Sequence, residues 1–126
     1  MPGNVYVVDD DASFRIAIKR QLERAGHRVL LYESAEQVLD RRPEEDELGC
    51  ILLDVRMPGL GGLALHGHLA ELGSTLPVVF LMGYFDVSMV VKAIKAGADY
   101  FLIKPLKSSE AILAPAKMNK NRKVLQ

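Results

Sequence analysis

No stretch of this chain approaches the roughly 20 apolar residues that a membrane-spanning helix needs. The longest apolar run, around Leu76 to Met82, contains Pro77 and has the length of a strand. The opening residues Met1-Pro2-Gly3-Asn4 show no basic segment leading into an apolar one, so no signal peptide is expected. Cysteine is nearly absent. Cys50 stands alone, which excludes an internal disulfide and fits a reducing, cytoplasmic setting. A surplus of charge is also lacking. Sixteen basic side chains balance sixteen acidic ones, whereas a nucleic-acid-binding domain usually carries a basic excess. Neither membrane insertion nor direct nucleic-acid binding is therefore expected of this domain.

What remains is ordinary globular material. Apolar residues make up 49% and charged residues 25% of the 126, enough to build one core and too much apolar content for disorder. The charges are unevenly placed. Lys107, Lys117, Lys120, Arg122 and Lys123 face only Glu110 after residue 106, so the earlier part is acidic on balance. The division expected is a core over 1–106, followed over 107–126 by a last helix, interrupted near Pro115, and a basic tail or linker.

The pattern alternates strand with helix five times. Asn4–Val8, Arg28–Tyr32, Gly49–Leu53, Pro77–Met82 and Asp99–Ile103 read as strands. Between them, Phe14, Ala17, Ile18, Gln21, Leu22 and Ala25 share one helical face, and Gly26 stands where a left-handed cap is expected. Ser34 and Gln37 have capping-box spacing. A glycine-containing helix runs to about Glu71. Asp86 can cap a fourth helix with apolar face Met89, Val90, Ala93 and Ile94, ending at Gly97. Strands that are apolar on both faces imply a parallel sheet covered on both sides. The expected fold is a single α/β domain with a five-stranded parallel sheet, order 2-1-3-4-5, doubly wound in the flavodoxin-like (βα)5 manner. Ligands in such sheets sit beyond the carboxyl ends of strands 1 and 3.

Those ends carry the chemistry. Strand 1 stops at Asp9-Asp10-Asp11 and strand 3 at Asp54. Two like charges about 4 Å apart repel by roughly 4 kcal/mol at an effective dielectric of 20, so converging carboxylates call for a cation or a raised pKa. An all-oxygen site partly open to water suits Mg²⁺. Asp11 can serve instead as a helix cap, but capping accounts neither for Asp54 nor for Lys104, which ends strand 5 and can neutralise a carboxylate or a phosphoryl group. His27, His66 and His68 lack metal-ligand spacing, and Cys50 reads as a small buried apolar residue.

Taken in order, Val7-Val8-Asp9-Asp10, Leu53-Asp54-Val55-Arg56-Met57-Pro58-Gly59, Gly62, Lys95-Ala96-Gly97-Ala98 and Lys104-Pro105 resemble a receiver domain of two-component response regulators. Gly83-Tyr84-Phe85-Asp86-Val87-Ser88-Met89 is similar to the matching stretch of FixJ-type and DctD-type receivers. The resemblance implies that Asp54 accepts a phosphoryl group from a phosphohistidine on a sensor histidine kinase. It implies that Asp10, Asp54 and the backbone carbonyl of Arg56 ligate Mg²⁺ or Mn²⁺, that Asp9 holds a metal-bound water, and that Lys104 binds the phosphoryl oxygens. It further implies an interaction face on helix 4, strand 5 and helix 5 suited to homodimer formation, and a DNA-binding output domain outside this chain, for transcription control. Such a domain catalyses only its own phosphorylation and dephosphorylation.

One position departs from the family. Thr or Ser is expected at the end of strand 4, where this chain has Met82, and a thioether has no proton to donate. A lost hydrogen bond to a charged group costs roughly 1.5–3 kcal/mol, so either coupling from Asp54 to the output face is weak or Met82 merely fills the gap at the strand end as a tolerated change. Phe101 aligns with the aromatic that rotates in the family's switch, or is simply a buried strand aromatic. The rival reading is a receiver-like interaction module that works without phosphate. A haloacid-dehalogenase-like phosphatase is disfavoured because Arg56, not an aspartate, stands two residues past Asp54, and FMN binding would rest on fold alone.

Overall fold

The computed structural model describes residues 4–43, 49–83, 87–95 and 100–104. Strand β1 (Asn4–Val8) is followed by α1 (Ala12–Arg24), β2 (Arg28–Tyr32), α2 (Ala35–Asp40), β3 (Cys50–Asp54), α3 (Gly62–Glu71), β4 (Val78–Met82), α4 (Val87–Lys95) and β5 (Tyr100–Ile103). All strand pairs are parallel and the order is β2-β1-β3-β4-β5. The expected topology is met. The expected last helix and tail, with Pro115, and the capping roles of Asp86 and Gly97 lie outside the described residues.

The sheet is buried on both faces, as its unbroken apolar strands require. On one face Ile18 and Leu22 of α1 pack with Val5, Val7, Val29, Leu52, Val79 and Leu81. On the other, Ala35 and Val38 of α2 and Leu65 and Leu69 of α3 pack with Tyr6, Val8, Ile51, Leu53, Phe80 and Met82. Every residue of β3 and β4 is buried, so the central strands are covered on both sides.

Local chemistry sets the helix ends. Asp11 caps α1, its Oδ1 accepting from Ser13 N–H at 2.9 Å and Phe14 N–H at 3.2 Å. Gly26 follows α1 at φ 94°, a conformation that costs glycine little. At α2, Ser34 Oγ accepts from Gln37 N–H at 3.1 Å, while Gln37 Oε1 accepts from Glu33 N–H at 2.7 Å. This is the capping-box reciprocity reaching one residue further back.

Three expectations need correcting. The face of α1 that meets the sheet is narrower than its apolar pattern, since Ala17 and Ala25 are exposed and only Ile18 and Leu22 are fully buried. Short alanines at the rim of the stripe do not reach the sheet. Ile94, expected on the inner face of α4, is 59% exposed, as Val91 is at 56%. The third strand runs one residue later than expected, Cys50–Asp54, because Asp54 still pairs with Leu81 of β4. Cys50 is buried as expected, and burial pushes its thiol up to about 12, which leaves it unreactive.

Candidate functional site

The register of the sheet builds the site. Val8 of β1 lies beside Leu53 of β3, so the next residues, Asp9 and Asp54, emerge side by side at the carboxyl edge. Met82 of β4 lies beside Ile103 of β5, and the following Lys104 N–H donates to the Met82 carbonyl at 2.8 Å. Three strand ends thus bring two carboxylates and an ammonium group together. Asp10, one residue on, is exposed at the rim. Ligand atoms of Asp9, Asp10 and Asp54 all lie within 4.8 Å of one another, the one such group among the described residues. Asp10 also lines an open cleft of about 570 Å³ with Val55, Arg56, Met57 and Pro58.

Asp9 is completely buried, and its polar atoms are all engaged. Its N–H donates to the Tyr32 carbonyl at 3.2 Å. Its Oδ1 accepts from Asp11 N–H at 2.9 Å, its Oδ2 from Lys104 Nζ at 2.6 Å, and its carbonyl from Arg15 Nη1 at 2.7 Å. Asp54 Oδ1 accepts from Arg56 N–H at 3.1 Å, and Lys104 Nζ lies 3.6 Å from Asp54 Oδ2. Asp9 is therefore the structural anchor of the ammonium group, whereas Asp54 keeps an oxygen less tightly engaged.

The electrostatics follow from this crowding. Burial first, then the neighbouring Asp9 charge, pushes the Asp54 carboxyl up to about 7, against the opposing pull of Lys104 and the Arg56 N–H. Burial works against the charged form of Lys104. The hydrogen bond to Asp9 and the charges of Asp54 and Asp9 outweigh it and raise the Lys104 pKa. A single lysine does not satisfy three carboxylates. The oxygen-only donor set of Asp9, Asp10 and Asp54, one member exposed, has the chemistry that suits a hard divalent cation.

Glycine is required beneath this site. A Cβ on Gly62 would lie 2.2 Å from the Asp54 carbonyl oxygen, so the start of α3 can pack against the end of β3 only without a side chain.

The remaining expected residues are placed as follows. Met82 is 1% exposed, its side chain packed with Phe80 on the α2–α3 face. Among the described residues, no hydroxyl stands at the end of β4. Phe101 pairs with Phe80 in register yet is 37% exposed, so it is not a plain buried strand aromatic. The Arg56 side chain is exposed beside the cleft. His66 packs edge-on against Phe80 with centroids 5.4 Å apart, and no histidine joins the carboxylate cluster.

Sequence reasoning missed two contributors. Arg15, 12% exposed at its side chain, ties the Asp9 carbonyl and lies 3.7 Å from Glu33. The sequence pattern marks Phe14 only as part of a helix face, but Lys104 Nζ stands over its ring at 4.3 Å from the centroid. Their place one turn into a helix that starts at the acidic strand end was the available signal.

Known proteins share this arrangement. The sequence model of the family described as "Response regulator receiver domain" matches residues 5–115. The transcriptional regulatory protein FixJ of Bradyrhizobium diazoefficiens is 41% identical over 103 residues, 82% of this chain and 50% of FixJ. The response regulator protein TmoT of Ectopseudomonas mendocina is 40% identical over 110 residues, 86% of this chain and 49% of TmoT. The chain thus spans about half the length of these relatives. The crystal structure of FixJ-N superposes with a TM-score of 0.84 at 30% identity, covering 96% of this chain and 95% of that one. The response regulator StyR superposes at 0.83 with 36% identity, covering 99% of this chain and 64% of StyR. A parallel sheet in the order 2-1-3-4-5 with an acidic pair, an aspartate and a lysine at its carboxyl edge, matched over most of its length, makes this chain a member of the response regulator receiver domain family.

Proposed function

We propose that this domain accepts a phosphoryl group on Asp54 from a phosphohistidine of a sensor histidine kinase and thereby switches an output surface for transcription control. The observation that carries the reading is the Asp54 carboxylate at the end of β3, 3.6 Å from Lys104 and within one carboxylate cluster with Asp9 and Asp10.

An Asp54 oxygen attacks phosphorus. The P–N bond breaks, its electron pair stays on the imidazole, and an acyl phosphate remains on Asp54. Phosphoryl transfer asks the protein for positioning and charge neutralisation more than for covalent chemistry. The Arg56 N–H orients the attacking carboxylate. Lys104, held by Asp9, stands ready to take the phosphoryl oxygens. A dication held by Asp9, Asp10, Asp54 and the Arg56 carbonyl would supply the rest of the positive charge. Hydrolysis returns the carboxylate and phosphate, so the domain has no separate substrate to turn over.

Exposed Val91 and Ile94 on α4 and Phe101 and Ile103 on β5 support an apolar partner face there. Homodimer formation through that face is part of the proposal. So are the cytoplasmic setting, the division into a core over 1–106 and a linker over 107–126, and a DNA-binding output domain beyond this chain. No described helix is long and apolar enough to cross a membrane.

The test is intact mass after incubation with Mg²⁺ and a small phosphodonor such as acetyl phosphate. One added phosphoryl group, absent in Asp54→Asn, is expected. The buried Met82, without a hydroxyl, favours a second reading, a phosphorylation-independent interaction module. A folded, Mg²⁺-binding protein that gains no mass from donor or kinase would establish that reading instead.

A further inference from the structure

The aromatic ring beside Lys104 is not required by the carboxylate chemistry, and its placement is specific. Phe14 enters α1 through the Asp11 cap, which accepts the Phe14 N–H at 3.2 Å. The ring is half-buried, packed against the core cluster that includes Ile18, Leu22 and Leu52. Its face meets the Lys104 ammonium 4.3 Å from the ring centroid, while the same ammonium donates to Asp9 at 2.6 Å and stands 3.6 Å from Asp54. The Lys104 backbone is tied separately, to Met82. The long lysine stem is therefore fixed at its root by the sheet and at its tip by a carboxylate and a ring.

We propose that Phe14 is a positioning residue for Lys104. Its ring face holds the ammonium by a cation–π contact at the edge of the carboxylate cluster, so that Lys104 meets an incoming phosphoryl group already ordered. A lysine carries much rotamer freedom, which must otherwise be lost as the transfer occurs. A ring face confines the ammonium without offering it a competing hydrogen bond, so moving from Asp9 towards oxygens on Asp54 breaks no bond to Phe14. It also keeps water from one side of the charge, which strengthens the pull on phosphoryl oxygens. The role in transfer rests on the proposed phosphorylation of Asp54. The ring–ammonium contact does not.

The experiment compares Phe14→Leu, which keeps an apolar side chain against the core, with Phe14→Tyr, which keeps the ring. In the Mg²⁺-free protein, NMR should show one lysine ε-methylene displaced upfield by the ring. Its signal is assigned by its loss in Lys104→Arg. Phe14→Leu should return it to the position of the other lysines, and Phe14→Tyr should leave it displaced. In the second arm, phosphorylation by acetyl phosphate should slow about two- to fivefold in Phe14→Leu, matching an exposed to partly buried cation–π contact, and recover in Phe14→Tyr. A Lys104 signal indifferent to Phe14→Leu, or equal slowing by both variants, would overturn the proposal. A wild-type protein that never gains a phosphoryl group would refute the phosphoacceptor reading and the transfer role together, while the NMR arm would still decide the contact. Circular dichroism confirms that both variants fold, and should Phe14→Leu fail to, Phe14→Met repeats the comparison.

Discussion

Asp54 illustrates how a single residue reports its surroundings. Its carboxyl is pushed up to about 7 by burial and by Asp9. A dication competes with that proton, so Mg²⁺ affinity should fall about tenfold between pH 8 and pH 6, on either side of that pKa. Titration calorimetry at the two pH values checks it. The stability linkage has the matching sign. Between about pH 4 and 7 the folded Asp54 holds a proton that the unfolded one has released, so without metal the fold should lose stability as pH rises through that window. Asp54→Asn should flatten the dependence in urea titrations. Met82 is the other telling residue. Met82→Thr removes fully buried apolar volume and should destabilise the fold by about 1–3 kcal/mol. It should also restore phosphorylation-dependent association or spectral change, through the hydroxyl that the β4 end lacks. A threonine variant that associates no better than the parent would show that Met82 is only a filler.

At the scale of elements, caps and close approaches decide where the site stands. Asp11 and Asp10 are neighbours with different work. Asp11 caps α1, so Asp11→Ala should cost about 1 kcal/mol of stability and leave Mg²⁺ affinity near the parent value. Asp10→Ala should do the reverse, weakening Mg²⁺ with little effect on unfolding. The pair of measurements settles the register of the triple aspartate. Gly62 joins α3 to the end of β3. Gly62→Ala should destabilise by about 1–3 kcal/mol despite alanine's better helix propensity, because the Asp54 carbonyl oxygen would lie 2.2 Å from the new Cβ. Unfolding midpoints check this, and the strand ends are where the displacement would be felt. These elements were legible beforehand because strand runs, caps and the Gly26 turn are local signals. The inner edge of each helix was less legible. Ala17, Ala25 and Ile94 match the periodicity, yet whether a side chain on the rim of a stripe reaches the sheet depends on where the helix axis docks.

Across the whole molecule, the sheet acts as a frame that carries its chemistry at one edge. Val91 and Ile94 on α4 and Phe101 and Ile103 on β5 are exposed. Ile94→Glu should leave stability within about 0.5 kcal/mol, since the residue is exposed. It should abolish any dimer formed on phosphorylation, which sedimentation velocity would read. Retained association would place the partner face elsewhere.

The sequence by itself determined the alternation of strands and helices, the parallel sheet and its order, and the carboxylate and lysine positions at the strand ends. These follow from period, apolar runs and the residues that stop them, all of which act over a few neighbours. Only the tertiary structure decided that Asp9 rather than Asp54 holds Lys104 most closely, that Phe14 lies under the same ammonium, that Arg15 secures the Asp9 carbonyl, and that Phe101 stays partly exposed. Asp9 and Lys104 are 95 residues apart in the chain. Contacts at that separation depend on strand register, side-chain rotamer and the space left by packing from both faces of the sheet, and no local pattern encodes their sum.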